Sequence, residues 1–362
     1  MDKTRTVALA LLLGWAAQAH AQQVHVDALK GHQGEDDYAF PVVKGGDRQA
    51  MQRINTWLQA VVLHKMPGHY RKNLVEDVWA DHAPDDISGF DQLDFSVNAA
   101  APGYVSISLT GEYVSASLNS YAQSYNFDAR TGQLIDLYDL FSERGLARFT
   151  ADVAKARVGV LNDHLAELKA KPDQVHGGDE AAPADLERIY ERCRNEVRKD
   201  GLDRDKLTLS NDKLGVSRDC TVGRMEESMD DLGELDHEVA FSEIASMLSD
   251  YGRCLLVNRR TDCINPNKLM TAGVLYGSID GRLPITLVWG SHGDDGYFYD
   301  RVNKFIHLSF SGEPDKNGNY VFHEYADNGL PAKFVLTRLP DGGFKGTWTQ
   351  TAGKPLPVEL HR

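Results

Sequence analysis

Apolar residues first recur at helical spacing in residues 47–63, DRQAMQRINTWLQAVVL. Met51, Ile54, Leu58 and Val61 share one face, and Asp47 stands where an N-cap belongs, so the spacing predicts a helix. Residues 22–40 are polar and read as an extended lead-in. From residue 93 the period changes to two. Residues 93–97 and 104–109 read as strands; in YVSISL, Val105, Ile107 and Leu109 alternate with small polar residues. Tyr121, Tyr125 and Phe127 continue the alternation. Thr131-Gly132 then supplies a turn in which the glycine is free to take a positive φ, and Leu134-Ile135 returns as a partner strand. Ser142 caps a long amphipathic helix marked by Leu146, Phe149, Val153, Val160, Leu165 and Leu168, which Pro172 ends.

A Pro/Gly/acidic loop at 172–184 leads to a second helix, 185–199, with Leu186, Ile189, Cys193 and Val197 on one face. A strand at 206–218, an acidic loop at 223–236 and a short strand, HEVAF, follow. Ser242 caps a helix with Ile244 and Leu248 inside. The last hundred residues change character. Asp280-Gly281, Asn317-Gly318, Asn328-Gly329 and Asp341-Gly342 punctuate apolar-aromatic runs such as LPITLVW and AKFVLTRL. Such dipeptides between alternating runs signal hairpins. The pattern predicts an α+β protein: helices packed on an antiparallel sheet over residues 22–252, then an antiparallel meander over 253–362, with Trp289 and Trp348 in its core.

The N-terminus carries a different pattern. Lys3 and Arg5 precede an apolar run, Val7 to Ala17, and Ala19-His20-Ala21 has the form of a cleavage site. The run is too short to span a bilayer and fits a cleaved export signal over residues 1–21. A periplasmic or secreted protein, soluble after cleavage, is expected. Loss of Asp2, Lys3 and Arg5 takes the net charge from −14 to −15, which argues against nucleic acid and permits attraction to a cationic partner. The 4 cysteines, Cys193, Cys220, Cys254 and Cys263, suit an oxidising compartment and two disulfides. Three pairings are open; Cys193–Cys220 and Cys254–Cys263 are favoured because each closes a short loop. Both are expected near the boundary between the lobes.

SYNFDARTGQLIDLYDLF, residues 124–141, resembles the signature of an exported bacterial module of unknown function. That module forms the extracytoplasmic part of lysozyme-sensing anti-sigma factors and accompanies some polysaccharide deacetylases. FPVVKGGDRQAMQRINTWL upstream, and LTLSNDKLGVS with HEVAFSEIASML downstream, resemble its flanking segments, so the likeness spans roughly 38–252. The C-terminal part resembles a β-rich module of unknown function. The resemblance implies a non-catalytic binding protein of the cell envelope, recognising a lysozyme-like cationic protein or peptidoglycan fragments. A structural or assembly role is the alternative. Neither a sigma-binding segment nor a deacetylase domain accompanies the module here.

Motifs of chemistry are sparse. There is no G-x-S-x-G elbow and no H-E-x-x-H, and no P-loop stands out. His64 and His69 lie five apart across Pro67-Gly68, a poor ligand spacing. Asp315, Asn317 and Asn319 begin like a calcium loop, but Tyr320 and Ala326 stand where glycine and glutamate are required. No cofactor or metal is expected. SHGDDGYFYDR, residues 291–301, is the exception: Asp294 and Asp295 could act as paired carboxylates of a polysaccharide hydrolase. Tyr297 and Tyr299 could stack on sugar or anchor a protein partner. The competing reading is a polar loop before a strand whose aromatics face the core.

Overall fold

The computed structural model describes residues 23–33, 36–66, 90–114, 118–170, 183–221, 224–265, 273–289, 295–299, 304–310, 314–325, 332–351 and 353–362. The expected export signal lies outside them, as do His69, Asp294 and the expected turn at Asn328-Gly329.

The lead-in is not a free extension. β1 (His25–Gln33) and β2 (Asp36–Lys44) form an antiparallel hairpin, and β2 meets β3 (Phe90–Ala100) in parallel at Tyr38 and Leu93. β3, β4 (Tyr104–Val114) and β5 (Leu118–Asp128) complete a five-stranded sheet in the order β1-β2-β3-β4-β5. The strand period gives this sheet two faces of opposite character. Val105, Ile107, Leu109, Tyr125 and Phe127 pack against α1 (Arg48–Leu63), which buries Ile54, Trp57, Leu58 and Val61. Asp47 caps α1 as expected, accepting from the Ala50 amide at 2.9 Å. The other face is polar: Asn98 donates to Ser108 at 2.8 Å, and Ser108 lies 2.8 Å from Ser124.

The Thr131-Gly132 turn returns to β5 through a single bridge, Phe127 to Leu134. Gly132 has φ +73°, and a Cβ there would lie 2.5 Å from the Ala50 carbonyl, so both conformation and space demand glycine. α2 (Leu137–Leu140) follows, then α3 (Glu143–Ala170), capped by Ser142 Oγ on the Gly145 amide at 3.1 Å. α3 buries Phe149, Val153, Leu161, Leu165 and Leu168 but turns Val160 outward and Arg157 inward. α4 (Pro183–Lys199) lies on the far half of α3, and Cys193–Cys220 ties it to the following sheet.

The expected strand at 206–218 is a hairpin. β6 (Lys206–Leu209) and β7 (Lys213–Ser217) turn at Ser210, whose hydroxyl accepts from the Lys213 amide at 3.1 Å. β8 (His237–Ala240) completes the three-stranded sheet β6-β7-β8. A single helical turn at Arg224–Glu227 precedes β8, and the helix after it, α5 (Phe241–Ile244), has Ala240, not Ser242, at its N-cap. Cys254–Cys263 closes the loop just before the C-terminal strands. Of the two disulfides, only this one lies near the boundary expected at residue 252; Cys193–Cys220 is in the α3–α4 core.

The meander closes on itself. Eight antiparallel strands run from β9 (Gly273–Ile279) through β10 (Leu283–Trp289), β11 (Gly296–Tyr299), β12 (Lys304–Phe310), β13 (Asn319–Glu324), β14 (Ala332–Arg338) and β15 (Phe344–Gln350) to β16 (Leu356–His361), which pairs with β9. Closure removes the free edges an open sheet would present. Trp289 fills one end among Phe310, Tyr320, Phe322 and Phe344, at centroid distances of 5.4–5.7 Å. Asp280-Gly281 takes φ +55° and +62°, the conformation of a tight hairpin. Asp315 Oδ1 accepts from the Asn317 and Asn319 amides, so that segment is a turn as well. The outer wall of the barrel packs on α1 through Val274, Val288 and Phe298.

Candidate functional site

Of the residues singled out near 294–299, Tyr297 and Tyr299 point into the barrel, and Asp294 lies outside the described residues. Asp295 is buried, and its carbonyl accepts from the Leu308 amide at 2.8 Å. Tyr297 is 0% exposed; its ring lies edge-on to Phe334 at 5.0 Å. Its hydroxyl donates to Glu324 Oε1 at 2.5 Å and lies 3.1 Å from the Tyr299 hydroxyl. Trp348 Nε1 donates to the same carboxylate oxygen at 2.7 Å. Burial pushes the Tyr297 phenol well above its ordinary pKa, with Glu324 adding to the effect. Tyr297 therefore offers no face to a sugar or partner. Strand alternation turned Tyr297 and half-buried Tyr299 inward, and a shared carboxylate satisfies the donors that burial would strand.

A groove of about 610 Å³ lies elsewhere, where the 124–141 signature meets β6. β5 is the edge strand of its sheet and supplies one wall through Tyr121, Gln123 and Tyr125. The Tyr121 and Tyr125 hydroxyls are 2.6 Å apart, and Trp57 holds the Tyr125 ring edge-on at 4.9 Å. Asp136 and Tyr138 form the opposite lip with Asp203 and Lys206. Tyr138 is 61% exposed and donates to Asp203 Oδ1 at 2.8 Å; that carboxylate raises the phenol's pKa. Burial works against the charge of Lys206, but Glu234 at 2.6 Å and Asp219 at 3.4 Å outweigh it and hold the amine above its ordinary pKa. Asn126 lies in the floor. Its amide nitrogen donates to the Leu207 carbonyl at 2.8 Å, while Oδ1 is buried without a partner among the described residues.

Behind the groove, Asp205 is clamped between Arg157 Nη1 at 2.5 Å and Arg218 Nε at 2.8 Å. Burial raises the carboxyl's pKa and depresses that of Arg157. With two guanidiniums in contact, Asp205 stays ionised.

The signature's own carboxylates hold the scaffold. Asp128 Oδ1 accepts from the Arg130 and Thr131 amides at 2.9 and 3.0 Å, and Oδ2 accepts from the buried Tyr251 hydroxyl at 2.9 Å. Asp136 and Asp139 make a reciprocal capping box on α2. Asp139 also accepts from Asn265 at 2.7 Å. Burial, then the neighbouring Asp136, pushes the Asp139 pKa up to about 7. The motif thus shapes the turn and presents Tyr138 beside β5. Sequence reasoning missed Tyr138, which stands with Asp139 between Leu137 and Leu140. The rest of the groove was not legible either, because β6 reaches it from some 80 residues away in sequence.

Among the described residues there is no cluster of three metal-ligating side chains, and no helix is long and apolar enough to cross a membrane.

No family model matches the chain, and no curated protein sequence matches it. Solved structures do. One is a member of the DUF3298 family from Bacteroides fragilis, 9% identical, with a TM-score of 0.40, covering 66% of this chain and 99% of that one. Another is a DUF3298 family protein from Pseudomonas aeruginosa, 15% identical, with a TM-score of 0.35, covering 63% of this chain and 94% of that one. Both represent a family of unknown function. Likeness at this level carries nothing about ligand or activity.

Proposed function

We propose that this chain is an exported, non-catalytic binding protein of the cell envelope, and that the groove between β5 and β6 takes a peptidoglycan-related saccharide. The observation that carries the reading is the lining of that groove. Tyr121 and the exposed Tyr138 stand beside the Gln123 amide and the Ser124 hydroxyl. Aromatic faces stack on the C–H faces of a sugar ring, and planar amides read its hydroxyls and N-acetyl groups. The lip mixes charges, Asp136 and Asp203 together with Lys206, which suits a zwitterionic strand better than a uniformly cationic one.

Co-sedimentation with purified sacculi tests this. The wild-type protein is expected in the pellet, and Tyr138→Ala, altered at an exposed position, in the supernatant. Wild-type protein left in the supernatant refutes the reading. A cationic, lysozyme-like partner is the second reading, favoured by the net charge of −14. It predicts capture on immobilised lysozyme at low salt and release at high salt. A hydrolase would use Asp294 and Asp295; products released from sacculi by wild type but not by Asp294→Ala or Asp295→Ala would establish it. We also propose a boundary near residue 252, with the groove on the N-terminal side and the barrel on the other. Limited proteolysis that cuts first between residues 252 and 273 supports it.

A further inference from the structure

β5 lies at one edge of the five-stranded sheet, and part of that edge is open. In an antiparallel ladder, successive residues turn their N–H and C=O groups alternately to one neighbour and to the other. The register with β4 runs unbroken from Leu118 to Asp128. On the outer side, the Asn126 carbonyl accepts from the Ile135 amide at 2.7 Å, and the Asp128 amide donates to the Gln133 carbonyl at 2.8 Å. The even-numbered residues of β5 therefore point their backbone outward. After Ile135 the chain turns away into α2, and the outer ladder stops with it. Ser124, Ala122 and Ser120 come next in that register. Among the described residues, no backbone or side-chain group pairs with their N–H and C=O groups.

Two observations point from this edge to a ligand. The first is that the edge is unprotected. β1, at the opposite edge of the sheet, carries Asp27 and Lys30, charges of the kind that blunt an exposed strand. β5 has no charged residue, no proline and no bulge from Leu118 to Phe127. The second is the charge beside it. The groove runs along β5 from Tyr121 to Asn126 and is bordered by Asp203, Arg204, Asp205 and Lys206. Lys206 is matched by Glu234 and Asp219, and Asp205 by Arg157 and Arg218. Asp203 and Arg204, both exposed, form no ion pair among the described residues.

We propose that an extended peptide arm of the ligand, carrying an amine and a carboxylate, adds as a strand to β5 along Ser120–Ser124. This deepens, and rests on, the reading of the groove as a site for a peptidoglycan-related ligand. An extended chain rises about 3.4 Å per residue, so an arm of about four residues matches that stretch. Strand addition draws its affinity from main-chain hydrogen bonds and leaves selectivity to the flanking side chains. Here Asp203 receives the amine and Arg204 the carboxylate, as charge-assisted bonds. A bare sugar has no row of amides at strand spacing and leaves the edge unused.

Calorimetric titration of the full protein tests this with two probes, a disaccharide-peptide fragment and the same disaccharide without its peptide. The fragment is expected to bind at least tenfold tighter. Ala122→Pro removes one outward N–H and leaves the bonds to β4 in place, the position at which an edge strand tolerates proline. It should abolish the advantage of the fragment while the bare disaccharide binds as it does to wild type. Asp203→Asn keeps an oxygen for the Tyr138 hydroxyl and loses the charge, so it should cut the advantage several-fold; it decides the case if the proline variant does not fold. Equal affinity for the two probes would overturn the strand addition and leave the saccharide reading standing. Binding of neither probe would overturn both. An undiminished advantage in folded Ala122→Pro, or in Asp203→Asn where the proline variant is unfolded, would also overturn the proposal.

Discussion

Replacing Tyr297 by Phe isolates the polar network inside the barrel. The ring keeps its place against Phe334 and leaves no cavity. What disappears is one hydroxyl, which donates to Glu324 at 2.5 Å. A hydrogen bond to a charged group contributes about 1.5–3 kcal/mol. Glu324 keeps the Trp348 donor at 2.7 Å, so its carboxylate is not orphaned and the lower part of the range applies. We expect a loss of about 2 kcal/mol. With an m-value of about 3 kcal/mol/M in urea, the midpoint falls by roughly 0.7 M. The protein contains 5 tryptophans, and Trp348 touches the same carboxylate, so fluorescence reports the transition directly. Tyr299→Phe is the control. Its hydroxyl lies 3.1 Å from that of Tyr297 on a half-buried residue, and its loss should cost less than about 0.5 kcal/mol. Sacculus binding should be unchanged in both. If Tyr297→Phe leaves the midpoint in place but abolishes binding, the tyrosine serves a ligand, and the assignment of this cluster to the scaffold is wrong.

Three other outcomes follow from the packing. A Cβ at Gly252 would lie 2.1 Å from the Leu140 carbonyl, backbone against backbone, so Gly252→Ala should destabilise by about 3 kcal/mol, read as a urea midpoint shift. Asp139, with its pKa raised to about 7, binds a proton in the folded protein where the unfolded chain does not. Stability from this group is therefore full below about pH 4 and falls by roughly 1.4 kcal/mol per unit as pH rises toward 7; Asp139→Asn should flatten that part of the pH–stability curve. The disulfides span 27 and 9 residues, so loop entropy assigns about 3.5 kcal/mol to Cys193–Cys220 and about 2.6 kcal/mol to Cys254–Cys263. Paired Cys→Ser variants should melt in that order, the first lower.

Local patterns were legible where one face of an element decides its fate. α1 begins at its Asp47 cap, α3 at Ser142, and the C-terminal hairpins turn at Asp280-Gly281 and Asn317-Gly318. Long-range pairing was not legible. Nothing in GVLYGSI states that it will meet LPVELH some 80 residues later and close a barrel. Nothing in the lead-in states that it folds back on itself; a hairpin edge tolerates polar residues on both strands. The split of 206–218 was visible in Ser210-Asn211-Asp212, a turn-forming run that the flanking alternation obscured. Arg157 reads as a solvated helix residue until Asp205 and Arg218 appear beside it. The groove shares that character, since it joins segments that local periodicity cannot connect.

The central claim is that the groove recognises an envelope saccharide. Calorimetric titration of disaccharide-peptide fragments from peptidoglycan into the full protein tests it most directly. The account predicts a saturable isotherm for wild type, with affinity at least tenfold weaker in Tyr138→Ala and unchanged in Tyr299→Phe, a factor of ten being about 1.4 kcal/mol. No heat of binding at millimolar fragment, or equal affinity in Tyr138→Ala, would contradict it.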